Sequence, residues 1–127
     1  MKLLVDSYSW IEYLNGSLSG ERVSKFLKGA HEIYSLNLII SEVVSRVKRK
    51  AGNTESAYNA ILSNSKIIEI TPEIAREAGL FHSEIRKKIK DFGLVDSIIF
   101  VVAKKLNAKI LTGDGHFKNF KEAVMIK

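Results

Sequence analysis

The sequence predicts an α/β fold: a three-layer α/β/α arrangement around a central, mainly parallel five-stranded sheet, carried as one domain over residues 1–127. Three observations lead there. Short continuous apolar runs recur along the chain, as expected of strands buried on both faces. Segments with helical apolar spacing separate them, a pattern that makes the strands parallel and covers both faces of the sheet with helices. The 127 residues are 46% hydrophobic and 27% charged with one proline, an ordinary globular composition long enough to bury a core without disulfides or a structural metal.

The elements follow in order. Leu3-Leu4-Val5 is the first strand, and Ser7 to Leu14 carries Trp10, Ile11 and Leu14 at helical spacing. Gly16 and Gly20 punctuate the next connection, after which Val23, Phe26 and Leu27 line one face of a helix ending near Gly29. Ile33 to Ser35 is the second strand. From Leu38 to Lys50 the apolar positions keep a helix period, and Arg46, Lys48, Arg49 and Lys50 fall late, where cations complement the helix dipole; Gly52 ends it. A helix over about 54–64 precedes a third strand at Ile67 to Ile70. Thr71-Pro72 supplies an N-cap and a first-turn proline for a helix running to about Lys90, closed by Gly93. Ser97 to Leu106 is a largely apolar helix, Lys109 to Leu111 the fourth strand, and Ala123 to Ile126 the fifth.

The chain has no cysteine, which removes disulfide frameworks, zinc–cysteine sites, iron–sulfur clusters and a cysteine nucleophile, and fits a reducing compartment. No secretory signal pattern opens it. The longest apolar run, Ile98 to Ala103, is far shorter than the roughly 20 residues that span a bilayer, so the expectation is a cytoplasmic protein with no membrane association. Twenty Lys and Arg against fourteen Asp and Glu give +6, a balance that favours polyanionic partners such as nucleic acid.

The chain holds four aspartates, Asp6, Asp91, Asp96 and Asp114. Asp6 follows the first strand, Asp114 follows the fourth, and Asp96 stands at the start of the helix leading into the fourth. In a parallel sheet the carboxyl ends of the strands and the N-termini of the returning helices share one edge, where ligands bind. Glu42, in the first turns of its helix, reaches the same edge. Four clustered carboxylates need a counterion, since unit charges about 4 Å apart repel by roughly 1 to 4 kcal/mol in the relevant dielectric range. With no cysteine and no histidine pair at metal spacing, the ligands are oxygens, which suits Mg²⁺ or Mn²⁺. Such an ion lowers the pKa of a bound water and supports in-line displacement at phosphorus, so the chemistry predicted is phosphodiester hydrolysis. The basic remainder offers phosphate contacts, with Arg46, Lys48, Arg49, Lys50, Arg86, Lys87, Lys88 and Lys90 as candidates.

Four segments in this order and spacing resemble the PIN-domain ribonucleases, most closely the VapC-type toxins of type II toxin–antitoxin systems. They are Leu-Leu-Val-Asp-Ser at 3–7, Ser-Glu-Val-Val at 41–44, Leu-Val-Asp-Ser-Ile-Ile at 94–99 and Ile-Leu-Thr-Gly-Asp-Gly-His-Phe at 110–117. The resemblance covers essentially the whole chain. It implies a metal-dependent endoribonuclease in which Asp6, Glu42, Asp96 and Asp114 hold the metal and Thr112 is the hydroxyl residue beside the last aspartate. It further implies RNA as substrate, a homodimer, and a cognate antitoxin that covers the acidic groove. One position departs from the pattern: many relatives carry Asp or Asn two residues after the final aspartate, where this chain has His116. His116 is left between an outer contact to the metal site, a substrate-phosphate contact and a direct ligand.

Each acid taken singly has an ordinary reading: Asp6 or Ser7 as a helix N-cap, Asp96 as a cap of the next helix, Gly113-Asp114-Gly115 as a turn, and Glu42 with Arg46 as a helical ion pair. The joint placement of four acids is what favours a site. Asp91-Phe92-Gly93 matches a kinase tripeptide without its companions and is read as coincidence. The aromatic residues, Tyr8 among them, fall mostly on apolar helix faces and read as core or dimer packing rather than base stacking. Three alternatives stay open: a catalytically degenerate PIN-like module binding nucleic acid or a partner, a housekeeping RNA-processing nuclease, and a phosphotransfer protein using Asp6 as acceptor.

Overall fold

A computed structural model describes residues 1–127. The chain runs β1 (Lys2–Val5), α1 (Ser7–Asn15), α2 (Leu18–Lys28), β2 (Glu32–Leu36), α3 (Asn37–Arg49), α4 (Thr54–Asn64), β3 (Lys66–Ile68), α5 (Pro72–Ile85), α6 (Leu94–Leu106), β4 (Lys109–Thr112) and β5 (Ala123–Met125). The five strands form one sheet in the order β3-β2-β1-β4-β5, and all four pairings are parallel. The expected layered α/β/α architecture is therefore present, with the sheet wholly rather than mainly parallel.

The strand order explains where a site forms. The chain lays β1 centrally, builds outward through β2 to β3, then crosses back to place β4 on the other side of β1. Right-handed crossovers put the helices of the two halves on opposite faces. Accordingly α1 packs on α2 and α3, and α3 on α4, while α5 packs on α6. The winding reverses between β1 and β4, so their carboxyl ends open a crevice that no connection crosses.

The core supports that edge. Leu3, Leu4, Val5, Ile110 and Leu111 in the two central strands are almost fully buried, as continuous apolar runs require when both faces are covered. Trp10 is buried beneath α1, and its indole N–H donates to Ser35 Oγ on β2 at 2.9 Å. Gly20 brings α2 against α1: a Cβ there would lie 2.0 Å from the Glu12 carbonyl oxygen, so only glycine permits the approach. Phe92 is buried at the centre of an aromatic cluster, with ring centroids 5.6 Å from Phe117, 5.7 Å from Phe120 and 6.1 Å from Phe81. No helix is long and apolar enough to cross a membrane.

Three boundaries differ from the sequence expectation by two residues or more. Helix α5 ends at Ile85 instead of about Lys90, because burying Phe92 turns the chain inward; His82 Nε2 bonds the Phe92 carbonyl at 3.0 Å and Arg86 Nε donates to the Lys90 carbonyl at 3.1 Å. Helix α6 starts at Leu94 with Gly93 as N-cap, three residues early, so Asp96 lies inside its first turn. Strand β3 stops at Ile68, short of Ile70. The parallel step from β4 to β5 uses only a 3-10 turn at Gly115–Phe117, not a full helix.

Candidate active site

Strand β1 delivers Asp6 to the crevice, and the backbone fixes it there: Asp6 N–H donates to the Leu111 carbonyl of β4 at 3.2 Å. Asp6 is also the N-cap of α1, its Oδ1 accepting from Ser9 N–H at 2.8 Å. Its Oδ2 accepts from the Thr112 hydroxyl, and Thr112 Oγ1 in turn accepts from the Asp114 N–H at 2.9 Å. One threonine thus ties together the two aspartates that follow β1 and β4. Burial in this position, partly offset by the Thr112 and Ser9 hydrogen bonds, raises the Asp6 carboxyl to about 6.

Asp114 caps the 3-10 turn, with Oδ1 accepting from His116 N–H at 2.9 Å. Asp96 stands in the first turn of α6, where the helix dipole favours an anion. Its carboxyl is nonetheless raised, first by burial and then by repulsion from Asp114 and Glu42. The ordinary readings of Asp6 as a cap and of Asp114 as a turn residue are therefore also true of the molecule. They coexist with the convergence of acids, since an ionised carboxylate has about four acceptor sites and a hydrogen bond to each oxygen leaves lone pairs over.

The acids meet in an open cleft of about 530 Å³, lined by Asp6, Glu42, Asp96 and Asp114 together with Arg46 and Arg49. Glu42, Arg46 and Arg49 all come from α3, and Glu42 and Arg46 take part in none of the molecule's ion pairs. Lys87 and Lys88 do not line this cleft; Lys87 pairs with Glu84 at 3.2 Å and borders a separate groove with His82, Arg86 and Lys90.

His116 enters the acidic group directly. Its Nδ1 lies 3.1 Å from Asp114 Oδ1 and 3.5 Å from Asp96 Oδ2, and its Nε2 lies 3.2 Å from Asp91 Oδ2. Contact with Asp91 is the main reason the imidazole is shifted up and the Asp91 carboxyl down. The buried Nδ1 has no hydrogen-bond partner of acceptable geometry. Ligand atoms of Asp96, Asp114 and His116 lie within 4.8 Å of one another. Crowded carboxylates and an orphaned ring nitrogen among them fit a divalent cation, which would relieve the repulsion and satisfy the nitrogen.

Residues 3–123 match the family profile of the PIN domain. The chain belongs to the PIN domain family. No curated protein matches it in sequence. Solved structures resemble this PIN domain in fold. A toxin–antitoxin complex from Klebsiella pneumoniae aligns over 98% of both chains at 21% identity and TM-score 0.74. VapC20 of Mycobacterium tuberculosis, described as a toxin cleaving the sarcin–ricin loop, aligns over 91% of this chain and 92% of its own at 18% identity and TM-score 0.72. VapBC2 of Rickettsia felis, bound to a fragment of promoter DNA, aligns over 98% and 97% at 19% identity and TM-score 0.75.

Sequence reasoning missed Tyr8 and Lys127, which line this PIN cleft, and Asp91, which contacts His116 beside it. Asp91 is 25 positions from His116, and no local signal joins them; each precedes a buried phenylalanine, and the Phe92–Phe117 contact brings them together. Tyr8 lines the cleft as well as packing against the core, and Lys127 lies with its Nζ 4.8 Å from the Tyr8 ring centroid. Gly113 makes room for that ring, since a Cβ there would fall 2.2 Å from Tyr8 Cε1. The glycines flanking Asp114 were the available hint of a close approach.

Proposed function

We propose that this PIN domain, spanning residues 1–127, is a divalent-metal-dependent endoribonuclease that hydrolyses RNA phosphodiester bonds and serves as the toxin of a VapBC-type toxin–antitoxin pair. The observation that carries the reading is the convergence of Asp6, Glu42, Asp96 and Asp114 in one cleft at the β1/β4 crevice. These four carboxylates would hold Mg²⁺ or Mn²⁺. When bound, the ion supplies Lewis-acid stabilisation of phosphate charge and makes water a competent nucleophile near neutral pH.

The chain's own residues do the rest. The Thr112 hydroxyl holds Asp6 oriented by donating to its Oδ2, and the Ser9 N–H holds the other oxygen. Arg46 and Arg49 sit on the α3 wall, where they bind backbone phosphates and set the register of the strand against the acids. Lys87 and Lys88 extend a basic surface beyond the cleft. The toxin–antitoxin complexes among the structural neighbours support a protein antitoxin as the partner that covers the acidic groove. A homodimer and a cytoplasmic location complete the reading.

One observation favours a second reading, a PIN module that binds without cutting: the raised His116 imidazole lends positive charge to the acidic cluster without any metal. The deciding experiment is cleavage of a pool of structured RNAs by wild type and Asp96→Asn, each with Mg²⁺, Mn²⁺ or EDTA. Cleavage by wild type with metal alone is the expected result. Absence of cleavage, together with no metal-linked rise in Tm, would establish the binding module instead.

A further inference from the structure

Resting on the metal-site reading above, we infer that His116 supplies a nitrogen ligand through Nδ1, that Asp91 positions it, and that the site consequently prefers a first-row transition cation over Mg²⁺. The geometry defines the roles of the two ring nitrogens. An ionised carboxylate only accepts, so Asp91 Oδ2 at 3.2 Å from Nε2 selects the tautomer with the proton on Nε2. That leaves the Nδ1 lone pair, buried and without a hydrogen-bond partner, facing Asp114 Oδ1 at 3.1 Å and Asp96 Oδ2 at 3.5 Å. With the proton on Nε2 these three neighbouring atoms are all electron-rich, and a cation shared among them would convert their repulsion into chelation.

The fold sets the two residues side by side. Asp91 and His116 each adjoin a fully packed phenylalanine, and the Phe92 and Phe117 rings meet edge to face at 5.6 Å. The His116 N–H is fixed to Asp114 Oδ1, so the ring and the carboxylate it faces belong to one turn. A histidine ligand whose second nitrogen is held by a carboxylate is a common way to orient the ring and raise its basicity. Oxygen-only sets suit Mg²⁺, whereas imidazole favours first-row transition cations, so His116 moves the site away from Mg²⁺. Asp91 is a positioning residue, acting only through His116.

The test uses the full chain and Mn²⁺ as probe. Electron spin-echo measurements on bound Mn²⁺ should reveal coupling to a directly bound ¹⁴N in wild type and its loss in His116→Asp, which retains an oxygen donor. Competition titrations should give a Mn²⁺-over-Mg²⁺ preference in wild type that falls in His116→Asp. Asp91→Ala, at an exposed position, should fold normally and bind Mn²⁺ about 10- to 100-fold more weakly, the usual loss when a ligand's outer partner is removed. Bound Mn²⁺ without nitrogen coupling, or coupling that survives in His116→Asp and so comes from His31 or His82, overturns the inference and leaves the carboxylate site standing. Unchanged Mn²⁺ affinity in Asp91→Ala refutes the positioning role. A chain that binds no Mn²⁺ refutes the nuclease reading itself.

Discussion

Replacing Asp6 by Asn should stabilise the metal-free protein at neutral pH, although it removes a capping carboxylate. In the unfolded chain this group titrates at its ordinary 3.8, and in the fold at about 6, because burial penalises the ion. Below pH 3.8 both states hold the proton and the residue carries no penalty. Between about 4 and 6 the folded state retains a proton that the unfolded state has released, so stability declines as pH rises. Above 6 the penalty is complete. About two pKa units at 1.36 kcal/mol each amount to about 3 kcal/mol. Asn keeps an acceptor for Ser9 N–H but pairs imperfectly with the Thr112 hydroxyl, at a cost of about 1 kcal/mol. The expected net gain is about 2 kcal/mol at pH 8, or about 6–8 °C in Tm for a chain of this size. Thermal melts of both proteins in EDTA from pH 3.5 to 8 should show the gain shrink to zero near pH 4.5 and wild type become the more stable below it, by up to about 1 kcal/mol. Saturating Mn²⁺ should reverse the order, since wild type alone gains the binding contribution of about 2.7 kcal/mol at 100 times Kd. A variant no more stable than wild type at pH 8, with a difference flat across pH, would refute the claim that Asp6 is held ionised against its burial.

Two further perturbations test the framework and the cleft wall. Gly20→Ala should destabilise the fold by about 2–3 kcal/mol, read as a lower urea midpoint at constant m-value and reversing the gain alanine normally gives in a helix, because its Cβ meets the Glu12 backbone; an unchanged midpoint would contradict the close α1–α2 approach. Measured on an uncleaving Asp96→Asn background, Arg46→Ala and Arg49→Ala should each reduce the slope of log K against log salt for RNA binding by about 0.7, whereas Lys87→Ala, already paired with Glu84 outside the cleft, should change it less. Equal slopes for all three would remove the cleft from the RNA path.

Why acids scattered over more than 100 residues can be located at all is a matter of topology. A strand end and a helix start are local features, visible as an apolar run stopping at Asp6 or Asp114, and a parallel sheet converts those local features into a shared edge. The aspartates therefore point to a crevice from their sequence positions alone. Glu42 was harder, because a glutamate followed by arginine four residues on reads equally as a helical pair; only the packing of α3 beside α1 turns it, with Arg46 and Arg49, into a wall of the cleft.

The sequence by itself determined the alternation of strands and helices, the layered α/β/α class, the basic balance and the candidate quartet, since periodicity, capping residues and burial on two faces are properties of short windows. Tertiary structure alone decided the strand order, the parallel β4–β5 step without a helix, the early end of α5 and the union of Asp91 with His116. Each of these depends on contacts between segments far apart in sequence, the Phe92–Phe117 packing above all. The protonation behaviour of the site belongs to the same class. The ordinary pKa of an aspartate is written in its chemistry, but the rise of Asp6 to about 6 comes from water excluded by β1, β4 and α1 closing around it.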